Sequence, residues 1–96
     1  MILWVDDLRQ PPGKGYYWVK SVNDAIAAIR THDFEYLDLD HDAGDYYEKG
    51  GDYIIILDWL EHYDKEYPIR LHTMNPVGLA NMRRIIKKNH WQEIHK

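Results

Sequence analysis

The chain has 96 residues, a formal charge of −4, 45% hydrophobic residues and no cysteine. That length suits one domain with a modest core. Missing cysteine excludes disulfides, thiolate catalysis and sulfur-bound zinc. The acidic balance argues against a broad DNA-binding surface, and no run approaches the roughly 20 apolar residues of a membrane span.

In chain order, Ile2-Leu3-Trp4-Val5 reads as a short buried strand ending in the acidic pair Asp6 and Asp7. The N-terminus runs straight into this strand without a basic leader, so a cytoplasmic location is expected. Gln10 to Gly15 is a breaker-rich loop. Tyr16 to Lys20 is aromatic and β-branched and predicts a second strand. No helix separates these strands, so parallel and hairpin pairings both remain open. Ser21 followed by Asp24 is a helix-start signature, and the apolar spacing of Val22, Ala25, Ile26 and Ile29 carries that helix to about Arg30.

Glu35 to Leu39 predicts the third strand, and the glycine-bearing stretch 42–51 a polar loop. Asp38 alternates with Leu37 and Leu39 and is expected to face solvent on an uncovered sheet face. A helix is predicted from Asp52 to about Glu66, with Ile56, Leu57 and Leu60 inward and Ile55, Trp59 and Tyr63 widening the stripe. Ile69 to His72 is the fourth strand. Asn75-Pro76 opens the last helix, because Asn is a favoured cap and Pro a favoured first residue. The tail 89–96 stays ambiguous between docking through Trp91 and Ile94 and fraying. Strand–helix alternation predicts an α/β fold with a mostly parallel sheet of about four strands and three helices. The whole chain, 1–96, reads as one domain with its core at about 2–88.

If these strands are parallel, Asp6-Asp7, Asp40-His41-Asp42 and His72-Thr73-Met74-Asn75 share one sheet edge, where α/β proteins bind ligands. His41 and His72 are the natural pair for moving protons, since an imidazole titrates at about 6.5. Asp40 and Asp42 stand ready to orient them. Asp6, Asp7 and Asp40 offer hard oxygen ligands suited to Mg²⁺ or Mn²⁺; the alternative is that they orient the imidazoles directly. Arg9 is a candidate phosphate fork or a salt-bridge partner of the acidic pair. Thr73, Asn75 and Gly78, at the start of the last helix, are candidate phosphate contacts, and Asn75 is equally read as that helix's cap. Asp45, Glu48 and Asp52 read as solvated loop acids, and the other histidines as structural.

Asp6-Asp7-Leu8-Arg9, Leu39-Asp40-His41-Asp42 and His72-Thr73-Met74-Asn75-Pro76-Val77-Gly78, with the helix bearing Trp59-Leu60-Glu61, resemble the motifs of the cyclic-phosphate processing receiver domain family over about residues 2–88. The resemblance implies a small receiver-like, flavodoxin-like sandwich that lacks the usual first helix. It matches Asp6 and Asp7 to the receiver's metal-binding pair, Asp40 to its phospho-accepting aspartate and Thr73 to its hydroxyl. Asn75 stands where ordinary receivers carry a lysine, and His41 and His72 are additions. The implied activity is that of a phosphoesterase, hydrolysing or otherwise processing a cyclic phosphate on a nucleotide or RNA end. A non-catalytic receiver that binds a nucleotide or protein partner, and a signalling receiver phosphorylated on Asp40, are the alternatives.

Overall fold

The computed structural model describes residues 1–95. Five strands and three α-helices alternate: β1 (Ile2–Val5), β2 (Tyr16–Val19), α1 (Val22–Thr31), β3 (Leu37–Leu39), α2 (Ile54–His62), β4 (Ile69–Leu71), α3 (Pro76–Lys88) and β5 (Glu93–Ile94). A 3₁₀ helix, Gly44–Lys49, fills much of the loop before α2. The sheet order is β2-β1-β3-β4-β5 and every pairing is parallel. The second strand is therefore no hairpin partner of the first; Ile2 lies opposite Tyr16 and Val5 opposite Val19. This is the receiver-like, flavodoxin-like order, and it brings the ends of β1, β3 and β4 side by side.

Each helix forms where its local chemistry allows. Ser21 accepts the Asp24 N–H at 3.1 Å and starts α1. Asn75 caps α3 by accepting the N–H groups of Val77 and Gly78 at 3.1 and 3.0 Å, a device that stabilises a helix by about 1 kcal/mol. α2 is shorter than its sequence suggests. Gly50 and Gly51, at φ 121° and 96°, keep the chain out of a helix before it. Asp64, at φ 54°, ends the turn that follows it.

Leu3, Val5, Leu37, Leu39 and Ile69 point to one face of the sheet and form a single core with Ile29 of α1, Ile56, Leu57 and Leu60 of α2, and Met82 and Ile86 of α3. Three crossovers running in the same direction across the sheet put all three helices on that face. Ile55 and Tyr63 do not widen the buried stripe of α2; they are exposed on its outer side. The tail docks: Trp91 packs against the core, and Glu93–Ile94 adds the fifth strand, held by an Arg83–Glu93 ion pair at 2.7 Å.

Alternation sends Trp4, Asp38 and Arg70 to the opposite face, opposite one another in register. No α-helix among the described residues covers this face. The irregular segment 6–15 lies against it, with the Trp4 indole N–H donating to the Arg9 carbonyl at 2.8 Å. Asp38, expected in solvent, is instead 1% exposed, and Arg70 and His72 close on its carboxylate.

Candidate functional site at the carboxyl edge of the sheet

The three clusters converge as the parallel topology requires. Asp6 follows β1 and folds back on itself. Its Oδ1 accepts the backbone N–H groups of Leu8 and Arg9 at 2.9 and 2.8 Å. Its Oδ2 faces His72 Nε2 at 2.9 Å and Arg9 Nε at 3.3 Å. Burial pushes this carboxyl up, but the Arg9 and Leu8 N–H groups and His72 outweigh it, so its pKa lies below the usual value. Asp7 goes the other way. Burial raises it, its own backbone N–H lowers it in part, and the charges of Asp6, Asp40 and Asp45 raise it further. Gly44, at φ 55°, brings bare backbone against the Asp7 carboxylate, where any Cβ would collide.

After β3, Asp40 accepts the His41 N–H at 2.7 Å, and its other oxygen lies 3.5 Å from the Arg9 guanidinium. His41 Nδ1 meets Asp42 Oδ1 at 2.7 Å. Its ring lies against Gly78, so closely that a Cβ there would come within 2.7 Å of Nδ1. Asp42 in turn takes the Asn75 amide at 3.3 Å. With Nδ1–H given to Asp42, the His41 Nε2 lone pair is left outward and has no hydrogen bond to a described residue. The backbone carbonyl of His41 accepts the Tyr53 N–H at 2.9 Å, and the buried Tyr53 hydroxyl donates to the Lys20 carbonyl at 2.7 Å.

After β4, His72 is fully committed. Its Nδ1 faces Asp38 Oδ1 at 2.7 Å, its Nε2 faces Asp6, and its ring stacks on Trp4 at 4.0 Å and 4°. Two N···O contacts at hydrogen-bond length require two protons shared among the three groups. Thr73 Oγ1 accepts the Asn75 N–H at 3.1 Å and keeps its own proton to donate. Gly78 does not present its N–H to a ligand, because Asn75 accepts it; its role is the close approach of the His41 ring.

Asp6, Asp40 and His72 have ligand atoms within 4.8 Å of one another, and so do His41, Asp42 and Asp52. Asp52, read from sequence as a solvated acid, accepts the Ala43 N–H at 3.0 Å and joins the second group. For a hard divalent ion the carboxylate chemistry fits: Asp40 belongs to the first of these groups, and the charges of Asp6, Asp40 and Asp45 crowd Asp7. Asp6 fits less directly, since its oxygens already face four N–H groups. Arg9 lies over Asp6 and Asp40, half exposed, and its NH2 also donates to the His72 carbonyl at 3.2 Å. Trp4 and Asp38, which the sequence does not mark as site residues, are the two that hold the His72 ring. Both are visible in the alternation of their strands, but their neighbours follow only from the parallel register.

Every buried side-chain polar atom among the described residues has a partner. No helix among them is long and apolar enough to cross a membrane.

Comparison with curated proteins and with solved structures found no match. The family model described as the cyclic-phosphate processing receiver domain matches residues 1–88. With its parallel receiver-like sheet and its acidic and histidine-bearing edge, the chain belongs to the cyclic-phosphate processing receiver domain family.

Proposed function

We propose that the domain hydrolyses a cyclic phosphodiester on a nucleotide or RNA end, with His41 as the group that moves the proton. The observation that carries this reading is the His41 ring, fixed between Asp42 and Gly78 with Nε2 unbonded. A carboxylate on Nδ1 fixes the tautomer and the ring orientation, and leaves the lone pair on Nε2. Water then loses a proton to Nε2 as its oxygen forms a bond to phosphorus. One ring P–O bond breaks, and the same proton passes to the departing sugar oxygen. The product is a phosphomonoester, and one imidazole serves both transfers in turn.

His72 has neither ring nitrogen open, so its contribution to this chemistry is to hold Asp6. Arg9 and the Thr73 hydroxyl supply donors for the non-bridging oxygens, and the Asn75 amide steadies Asp42. Asp7 and Asp40, with Asp6 behind them, would hold Mg²⁺ or Mn²⁺. Such an ion supplies electrostatic stabilisation of the phosphate charge.

The test is turnover of 2′,3′-cyclic nucleotides and of an oligoribonucleotide ending in a cyclic phosphate. His41→Ala is expected to lose about 10²–10⁴-fold in rate. Unchanged turnover removes the assignment. A stable gain of one phosphoryl mass from a small phosphoryl donor, lost in Asp40→Asn, would instead make the domain a phospho-accepting receiver.

A further inference from the structure

The oddest residue of the central strand is Asp38, a carboxylate buried in the middle of β3 on the face without helices. It is not one of the groups placed in the proposed chemistry. It is nevertheless joined to the edge where that chemistry lies by an unbroken chain of charged contacts. Asp38 Oδ1 meets His72 Nδ1 at 2.7 Å, His72 Nε2 meets Asp6 Oδ2 at 2.9 Å, and the same Asp6 oxygen meets Arg9 Nε at 3.3 Å. The side chains of Asp38, His72 and Asp6 are 2%, 7% and 1% exposed, whereas that of Arg9 is 49% exposed.

We infer that Asp38 is a positioning residue: through His72 and Asp6 it sets where the Arg9 guanidinium stands at the mouth of the site. Three features favour this over a packing role. Arg70 NH1 lies 3.2 Å from both Asp38 oxygens, which fixes the carboxylate from the neighbouring strand. Trp4 stacks flat on the His72 ring, so the imidazole cannot tilt to find other partners. Trp4 also donates its indole N–H to the Arg9 carbonyl, which ties the backbone of the same arginine to the same stack. Asp6 thus accepts the Arg9 backbone N–H and faces its Nε, while the Trp4 indole N–H holds the Arg9 carbonyl. A long exposed arginine otherwise samples many rotamers, and fixing it in advance reduces the ordering needed when an anion binds.

The inference rests on the proposed role of Arg9 toward phosphate, but its first test needs no substrate. The Arg9 Nε–H is followed by ¹H–¹⁵N correlation spectroscopy at low temperature and neutral pH. The wild type should show a slowly exchanging Arg9 Nε–H cross-peak. Asp38→Asn, which keeps shape and loses charge, and His72→Gln should each broaden or lose it, while His41→Gln leaves it in place. Thermal unfolding confirms which variants are folded. An absent cross-peak in the wild type, or an unchanged one in either folded variant, overturns the inference. With turnover in hand, Asp38→Asn should raise KM by up to about 10–100-fold, the range for loss of a residue that supports a site from behind. Its kcat should fall far less than that of His41→Ala, because the proton-moving residue is untouched. A kcat loss equal to that of His41→Ala, with KM unchanged, would place His72 in the chemistry instead.

Discussion

Replacing Gly78 by alanine tests the site at its tightest point. The added Cβ would lie 2.6 and 2.7 Å from Cδ2 and Nδ1 of His41, where ordinary contacts begin at 3.4 Å. The imidazole cannot retreat freely. Nδ1 is held by Asp42, the His41 N–H by Asp40 at 2.7 Å, and its carbonyl by Tyr53 at 2.9 Å. Overpacking of this kind costs about 1–3 kcal/mol. Alanine in a helix also gains about 0.8–1 kcal/mol over glycine. The net effect of Gly78→Ala alone is therefore a loss of up to roughly 2 kcal/mol. At about 4–8 °C per kcal/mol for a domain of this size, that is a visible drop in Tm. In a His41→Ala background the clash is gone and only the helix gain remains, so the same substitution should raise Tm. A double-mutant cycle by urea denaturation measures the coupling, expected at about 1–3 kcal/mol. Additivity within about 0.5 kcal/mol would show that the ring does not rest on Gly78.

Two more outcomes can be measured directly. Burial, followed by the charges of Asp7, Asp6, Asp40 and Asp52, pushes the Tyr53 hydroxyl well above its ordinary 10.0. A raised folded-state value means that its stabilisation is whole below pH 10 and is lost as pH rises beyond the unfolded tyrosine's titration. Denaturation midpoints from pH 8.5 to 11.5 should therefore fall less steeply for Tyr53→Phe than for the wild type, and parallel curves would contradict the assignment. A divalent ion held by Asp7 and Asp40 would raise Tm with Mg²⁺ or Mn²⁺ concentration by mass action. That rise should disappear in Asp40→Asn and be reversed by chelator in the wild type. A rise that survives Asp40→Asn would move the ion elsewhere.

Much of this architecture can be read from the sequence because local chemistry and global topology agree. Ser21 and Asn75 announce their helices, and both caps are made. The apolar spacing of α1 turns Val22, Ala25 and Ile29 inward as expected, and strand–helix alternation brings the three clusters to one edge. The difficulties lie where a residue's partner is distant in sequence. Asp38 looks like a solvent-facing acid until the parallel register sets Arg70 beside it and His72 beyond. The two histidines look equivalent by position. They differ because one finds a carboxylate at each nitrogen and the other at a single one. The end of the chain was equally opaque. Two residues make a strand only when β4 offers a free edge, and nothing local to Glu93 and Ile94 says so.

The helix-free rear of the sheet changes what that surface is able to evolve. In a three-layer sandwich, odd and even positions of a central strand both have to be greasy, and polar chemistry is pushed out to the loops. With helices on one side only, every second residue of β1, β3 and β4 is released from that demand. Trp4, Asp38 and Arg70 occupy the freed positions. Helices on one face alone thereby enlarge the area over which a domain of 96 residues can place ionisable groups without sacrificing its oily half.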